Sequence, residues 1–149
     1  MNIGQIVQIL LVEDDPGDVE LIMEGLKESK IAINLEVIED GAKALQYLHK
    51  EEPYQNISLP DLILLDLNLP KMDGREVLKK IKEDPFLRRI PVVILTTSDA
   101  ETDIVKSYTL GANCYITKPI TLDGFIEVVQ TIEGFWLTVV KLPNSKREW

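Results

Sequence analysis

Short runs of Val, Ile and Leu recur five times along the chain, at residues 9–12, 35–38, 62–65, 92–95 and 114–116, each followed by an amphipathic segment. The runs are apolar at consecutive positions rather than at every second one. That pattern predicts strands covered on both faces, as in a parallel sheet. The segments between them carry helix spacing. Val19, Ile22, Met23 and Leu26 fall at i, i+3, i+4 and i+7, behind Asp15 as a cap and Pro16 at the first helical position. Ala44, Leu45 and Leu48 repeat the spacing briefly after Glu39-Asp40-Gly41, which reads as a helix cap, and Val77, Leu78 and Ile81 do so after Asp73. Ile104, Val105 and Tyr108 follow Ser98-x-x-Glu101, which matches a capping box. Strand and helix in strict alternation predict a doubly wound α/β domain with right-handed crossovers. Residues 50–60, with Pro53 and Pro60 among mixed polar groups, form the one long irregular connection and are expected on the surface.

Composition narrows the possibilities. The chain has 149 residues, 45% of them hydrophobic, and a net charge of −9 from 25 acidic and 16 basic side chains. An acidic chain gains nothing from counterion release, so nucleic acid is not an expected partner. No apolar run reaches the roughly 18–20 residues of a membrane span, and the first residues lack the basic, small-residue pattern of a secretory signal. The single cysteine, Cys114, supports no internal disulfide and fits a reducing compartment. The expectation is a cytoplasmic protein with no membrane partner. Cys114 itself reads as a small buried apolar residue, and His49, the only histidine, as a surface residue at a polar helix end.

In an open parallel sheet, ligands bind beyond the carboxyl ends of the strands. The residues just past each predicted strand are therefore informative. After the first come Glu13, Asp14 and Asp15; the third ends in Asp66; the fourth ends in Thr96, Thr97 and Ser98; after the fifth come Thr117, Lys118 and Pro119. Carboxylates gathered on adjacent central strands repel one another unless their pKa values rise or a cation sits among them. A hard, oxygen-seeking ion such as Mg²⁺ suits that donor set, whereas no His/Cys cluster favours zinc. Asp66 is then a candidate nucleophile forming an aspartyl phosphate, with Lys118 as a point charge and the Thr96 hydroxyl as a donor to phosphoryl oxygens.

These residues resemble a known family. Ile9-Leu-Leu-Val-Glu-Asp-Asp15, Leu64-Leu-Asp66, Leu69-Pro-Lys-Met-Asp-Gly-Arg-Glu76, Pro91-Val-Val-Ile-Leu-Thr96, Gly111-Ala112 and Lys118-Pro119 are similar to the signature of response-regulator receiver domains. The resemblance covers about residues 7–132 and implies a flavodoxin-like (βα)5 fold with strand order 2-1-3-4-5. It implies Asp66 as phospho-acceptor. Glu13, Asp14 and Asp66 become metal ligands, with Asn68 offering its backbone carbonyl. Thr96 and Lys118 hold the phosphoryl oxygens, Thr96 and Tyr115 form a switch, and Lys118–Pro119 is a cis peptide. It also implies a sensor histidine kinase as phosphodonor and no turnover of small substrates. Ser98, two residues beyond Thr96, is too short to hold a hydrolytic water, so dephosphorylation is expected to be slow.

Helical spacing persists past residue 132 through Phe135, Trp136, Val139 and Val140, weakened by Gly134. Residues 1–134 are expected to form the receiver domain. Residues 135–149 form an extension that continues the last helix and presents those four side chains to a partner or a second copy. Phe135-Trp-Leu-Thr-Val-Val-Lys-Leu-Pro143 resembles the tail of cyanobacterial phytochrome-associated response regulators, which implies a light-sensing kinase and a homodimer. With about 30 residues after Lys118-Pro119, no DNA-binding output domain is expected, and the chain reads as a stand-alone receiver. Three other readings compete. A haloacid-dehalogenase-type phosphatase needs a second acid two residues after its nucleophile, where this chain has Asn68. A flavin-binding domain needs a Ser/Thr/Gly phosphate loop where this chain has Glu13-Asp14-Asp15-Pro16. A phosphorylation-independent adaptor would keep the fold and has no need of Asp14, Asp66, Thr96 and Lys118 together.

Overall fold

In the computed structural model, which describes residues 6–27, 29, 31–139 and 141–143, five parallel strands form one sheet. The strands are β1 (Val7–Val12), β2 (Ile33–Ile38), β3 (Leu62–Leu65), β4 (Val92–Thr96) and β5 (Cys114–Thr117), in the order β2-β1-β3-β4-β5. Helices α1 (Pro16–Leu26), α2 (Gly41–Leu48), α3 (Gly74–Glu83), α4 (Glu101–Thr109) and α5 (Leu122–Gly134) connect and cover them. The chain steps from β1 outward to β2 and returns to the other side of β1 as β3. That reversal leaves a crevice at the carboxyl ends of β1 and β3.

Alternate side chains of the central strands supply two cores, as the period of two requires. Leu10, Val12, Ile63, Leu65, Val92 and Ile94 pack with Ala44, Leu45, Leu48, Val77, Leu78 and Ile81 of α2 and α3. Ile9, Leu11, Leu62, Leu64, Val93 and Leu95 pack with Ile22 and Leu26 of α1 and Phe125, Val129 and Ile132 of α5. Cover on both faces holds for β1, β3 and β4 but not for the edges. On β2, Asn34 and Glu36 are exposed while Ile33, Leu35 and Val37 are half-buried, and Cys114, Tyr115 and Ile116 on β5 are half-buried.

Asp15, Asp40 and Asp73 cap α1, α2 and α3 through their side chains, as expected. The capping box before α4 does not form. The N-cap is Ala100, without a side-chain bond, because Ser98 lies two residues too early and its hydroxyl donates instead to Asp103 Oδ2 at 2.6 Å. The cis peptide also falls elsewhere: it is Glu52–Pro53, and Lys118–Pro119 is trans.

Beyond Gly134 the chain continues as a π-helical turn, Phe135–Val139. A π turn takes up an extra residue and so rotates the succeeding side chains relative to the α-helical stripe. Leu137 is thereby buried, and Trp136 and Leu142 pack partly on the core shared with α1 and α5. Of the residues expected on a partner surface, Phe135 is 51% exposed and stands edge-on to Trp136. Trp136 leans on the domain itself, while the Val139 side chain and Val140 lie outside the described residues.

Candidate functional site

Strand register brings the predicted residues together. Val12 pairs with Leu65 across β1 and β3, so Glu13 and Asp66 leave the sheet side by side, and the Asp66 N–H donates to Val12 O at 3.1 Å. Thr96 pairs with Thr117, and the Lys118 N–H donates to Thr96 O. The start of α3 is pressed against the loop after β3. A Cβ on Gly74 would stand 2.1 Å from Asp66 O and 2.6 Å from Leu67 Cα, so only glycine lets the helix approach this closely.

The Lys118 ammonium is the hub. It donates to Glu13 Oε1 at 2.5 Å, Asp18 Oδ2 at 2.8 Å and Asp66 Oδ2 at 2.9 Å. The other oxygen of Asp66, Oδ1, accepts the Thr96 hydroxyl at 2.8 Å and the Asn68 N–H at 3.1 Å. Glu13, Asp66, Thr96 and Lys118 are buried, whereas Asp14 is exposed at the mouth. Asn68 touches Asp66 through its amide N–H rather than its carbonyl.

Glu13 and Asp66 share an ammonium yet shift in opposite directions. Burial pushes Glu13 up to about 7 despite the Lys118 bond, with the Asp66 charge adding to the rise. Burial also opposes ionisation of Asp66, but the Lys118 and Asn68 hydrogen bonds outweigh it and hold that carboxyl below its ordinary value. Lys118 is buried too, which disfavours its charge, but the bonds to Asp18, Glu13 and Asp66 outweigh this and raise it well above an ordinary lysine. The result is an ionised Asp66 beside a permanently charged Lys118.

Oxygens of Glu13, Asp14 and Asp66 lie within 4.8 Å of one another. Three hard carboxylate donors, two of them buried, match a divalent cation that keeps several of its waters. The chain's own residues therefore fit such an ion.

A second network lies against the first. The Tyr115 hydroxyl donates to Ser98 O at 2.8 Å, and the Ser98 hydroxyl donates to Asp103. Asp103 also takes a two-pronged contact from Arg75, with Nε to Oδ1 at 3.0 Å and Nη2 to Oδ2 at 2.8 Å. Sequence reasoning missed Asp18, although it stands in the acidic run Glu13-Asp14-Asp15-x-x-Asp18 and could have been suspected there. It also missed the Arg75–Asp103 pair, whose members are 28 positions apart and carry no local signal.

The model of the response regulator receiver domain matches residues 9–130. The chain belongs to that family. The receiver domain is 53% identical to the response regulator Rcp1 of Synechocystis sp., over 92% of this chain and 93% of Rcp1. It is 42% identical to the probable methanogenesis regulatory protein FilR2 of Methanothrix harundinacea, over 87% of this chain and 83% of that protein. Its fold superposes on the crystal structure of the phosphorylated cyanobacterial phytochrome response regulator RcpA with a TM-score of 0.92. That match has 51% identity and covers 94% of this chain and all of that one. The Mn²⁺-bound form of Rcp1 gives a TM-score of 0.90 at 52% identity, covering 92% of this chain and 99% of that one. The receiver domain is thus a response regulator similar to phytochrome response regulators, and order 2-1-3-4-5 is the fold expected of it. No helix among the described residues is long and apolar enough to cross a membrane.

Proposed function

We propose that this receiver domain accepts a phosphoryl group on Asp66 from a phosphohistidine of a sensor histidine kinase. The observation that carries the reading is the convergence of Lys118 and Thr96 on the two oxygens of one buried, ionised aspartate beside the carboxylate trio. An Asp66 carboxylate oxygen attacks phosphorus, the P–N bond breaks, and its electron pair returns to the donor imidazole. Lys118 turns from Asp66 Oδ2 toward the phosphoryl oxygens and compensates their charge, and the Thr96 hydroxyl follows from Oδ1. A bound Mg²⁺, held by Glu13, Asp14, Asp66 and the Asn68 carbonyl, supplies further charge compensation on those oxygens. Thr96 ends β4 and Tyr115 lies on the neighbouring β5 with its hydroxyl on Ser98 O, two residues past Thr96, so phosphorylation shifts the face formed by α4, β5 and α5. Val105, Tyr108, Ile120, Leu122 and Phe135 are exposed apolar residues on α4 and along the approach to and end of α5, and they supply a surface for a second copy.

The Ser98 hydroxyl is already spent on Asp103, so it holds no water for hydrolysis and the acyl phosphate is long-lived. The similarity to RcpA supports a phytochrome as the kinase. The test is incubation with acetyl phosphate and Mg²⁺, wild type against Asp66→Asn. Acid-stable, base-labile phosphate on the wild type alone supports the reading, and equal labelling of both refutes it. Sedimentation with and without beryllofluoride tests the dimer, and a monomer at high concentration in both states removes it.

A further inference from the structure

Asp18 touches the Lys118 ammonium but is not one of the carboxylates grouped for a cation. Its Oδ2 accepts a Lys118 N–H at 2.8 Å, while among the described residues Glu13, Asp14 and Asp66 are the carboxylates that bring their oxygens within 4.8 Å of one another. The partners of Lys118 therefore divide into two kinds. Glu13 and Asp66 belong both to the cation group and to the lysine; Asp18 belongs to the lysine only.

That division matters once the site is occupied. A lysine ammonium has three N–H groups, and all three are committed to carboxylates in the structure. A divalent ion draws on Glu13 and Asp66, and a phosphoryl group takes the attacking oxygen of Asp66. Two of the three partners are then redirected. Asp18 is the one left unchanged, and it is fixed in place: it sits in the first turn of α1, whose cap Asp15 accepts the N–H groups of Gly17 and Asp18. Its side chain is only 21% exposed, so the bond to Lys118 is sheltered from much of the water that weakens surface pairs. A lysine stem is a flexible four-carbon chain; without a fixed third partner its ammonium is free to swing away from the phosphoryl oxygens.

We infer that Asp18 is a positioning residue for phosphoryl transfer, holding the Lys118 ammonium at the phosphoryl oxygens while Glu13 and Asp66 are engaged elsewhere. This rests on Asp66 being the phospho-acceptor. A merely structural role for Asp18, through a favourable charge at a helix N-terminus, would change folding stability and leave ligand affinities alone.

The test is calorimetric titration of the full chain with Mg²⁺ alone, and then with beryllofluoride at saturating Mg²⁺, for wild type and Asp18→Asn. Urea unfolding establishes that both are folded. Mg²⁺ affinity should stay within about threefold, since Asp18 lies outside the trio, while beryllofluoride binding should weaken about tenfold, the loss of one sheltered charge-assisted contact. A second arm measures the rate of labelling by acetyl phosphate, where Asp18→Asn should slow the wild type about tenfold and leave Lys118→Met unchanged. The inference is overturned if beryllofluoride binds both proteins equally, if Mg²⁺ affinity falls in parallel, or if Asp18→Asn slows the Lys118→Met protein by the same factor. A wild type that binds no beryllofluoride with Mg²⁺ would instead remove the phospho-acceptor reading beneath it.

Discussion

Replacing Lys118 by methionine keeps most of the side-chain volume and removes one charge, so its consequences can be worked from the geometry. The substitution deletes three charge-assisted bonds, to Glu13, Asp18 and Asp66, and leaves two carboxylates that are almost wholly buried with no cation between them. Removing one partner of a buried ionic cluster costs about 3–5 kcal/mol. Protonation of Glu13 limits the loss. Its pKa already stands at about 7 with the ammonium present, and without that opposing bond it rises further. The lower end, about 3 kcal/mol, is therefore expected near neutral pH, or about 10 °C in Tm for a chain of this size. The pH dependence has a definite sign. A carboxyl whose folded pKa is raised contributes stability that is full below its unfolded value and is lost as pH rises through its folded value. The deficit of Lys118→Met should accordingly grow through neutral pH and shrink toward about pH 5. Mg²⁺ should stabilise both proteins, each by about 2.7 kcal/mol at a hundredfold excess over its own Kd, and should narrow the deficit to the extent that it binds Lys118→Met more tightly, where no ammonium competes for Glu13 and Asp66. Urea unfolding followed by circular dichroism across pH, with and without Mg²⁺, measures all of this. A deficit below about 1 kcal/mol at alkaline pH, or one that ignores pH, would refute the buried-cluster reasoning.

Three further outcomes rest on other contacts. Divalent-ion binding requires Glu13 to lose its proton, so affinity should fall as pH drops through about 7, by no more than about tenfold per pH unit. Calorimetry in buffers of different ionisation heat should detect the released proton, and Glu13→Gln should abolish the dependence. Gly74→Ala puts a methyl group against Asp66 O and Leu67 Cα. It should cost about 3 kcal/mol and slow phosphorylation, whereas Gly134→Ala, with nothing within 4 Å of the added carbon, should be neutral or slightly stabilising. The Arg75–Asp103 pair is two-pronged and only 23% and 20% exposed. A double-mutant cycle with Arg75→Gln and Asp103→Asn should return a favourable coupling, and a value indistinguishable from zero would show that the bridge does not tie α3 to α4.

The parts of the molecule legible in the sequence were those written in local pattern. Runs such as 62–65 had to be strands because every position is apolar, and Asp15-Pro16, Asp40-Gly41 and Asp73-Gly74 mark helix starts through backbone chemistry that needs no tertiary contact. Once the sheet order was inferred, the strand ends placed Glu13, Asp66, Thr96 and Lys118 together, and the structure brings all four into contact through Lys118 and Thr96. The features that escaped were set by tertiary competition. Ser98 had the spacing of a cap, but the Asp103 carboxylate, itself oriented by Arg75, took its hydroxyl. Cover on both faces failed on β2 and β5 because the order 2-1-3-4-5 leaves them at the sheet edges, a consequence of the expected order that the apolar runs by themselves do not register. The π turn after Gly134 could not be read from helical spacing, because it changes the period on which that reading depends.

The account stands on a covalent bond between phosphorus and Asp66, and chemical trapping tests it most directly. After labelling with acetyl phosphate and Mg²⁺, borohydride reduction followed by peptide sequencing by mass spectrometry identifies which carboxyl became an acyl phosphate. The account predicts homoserine at position 66 and nowhere else. Homoserine at position 14 or 18 instead, 5-hydroxynorvaline at position 13, or no reduced residue at all, would contradict it.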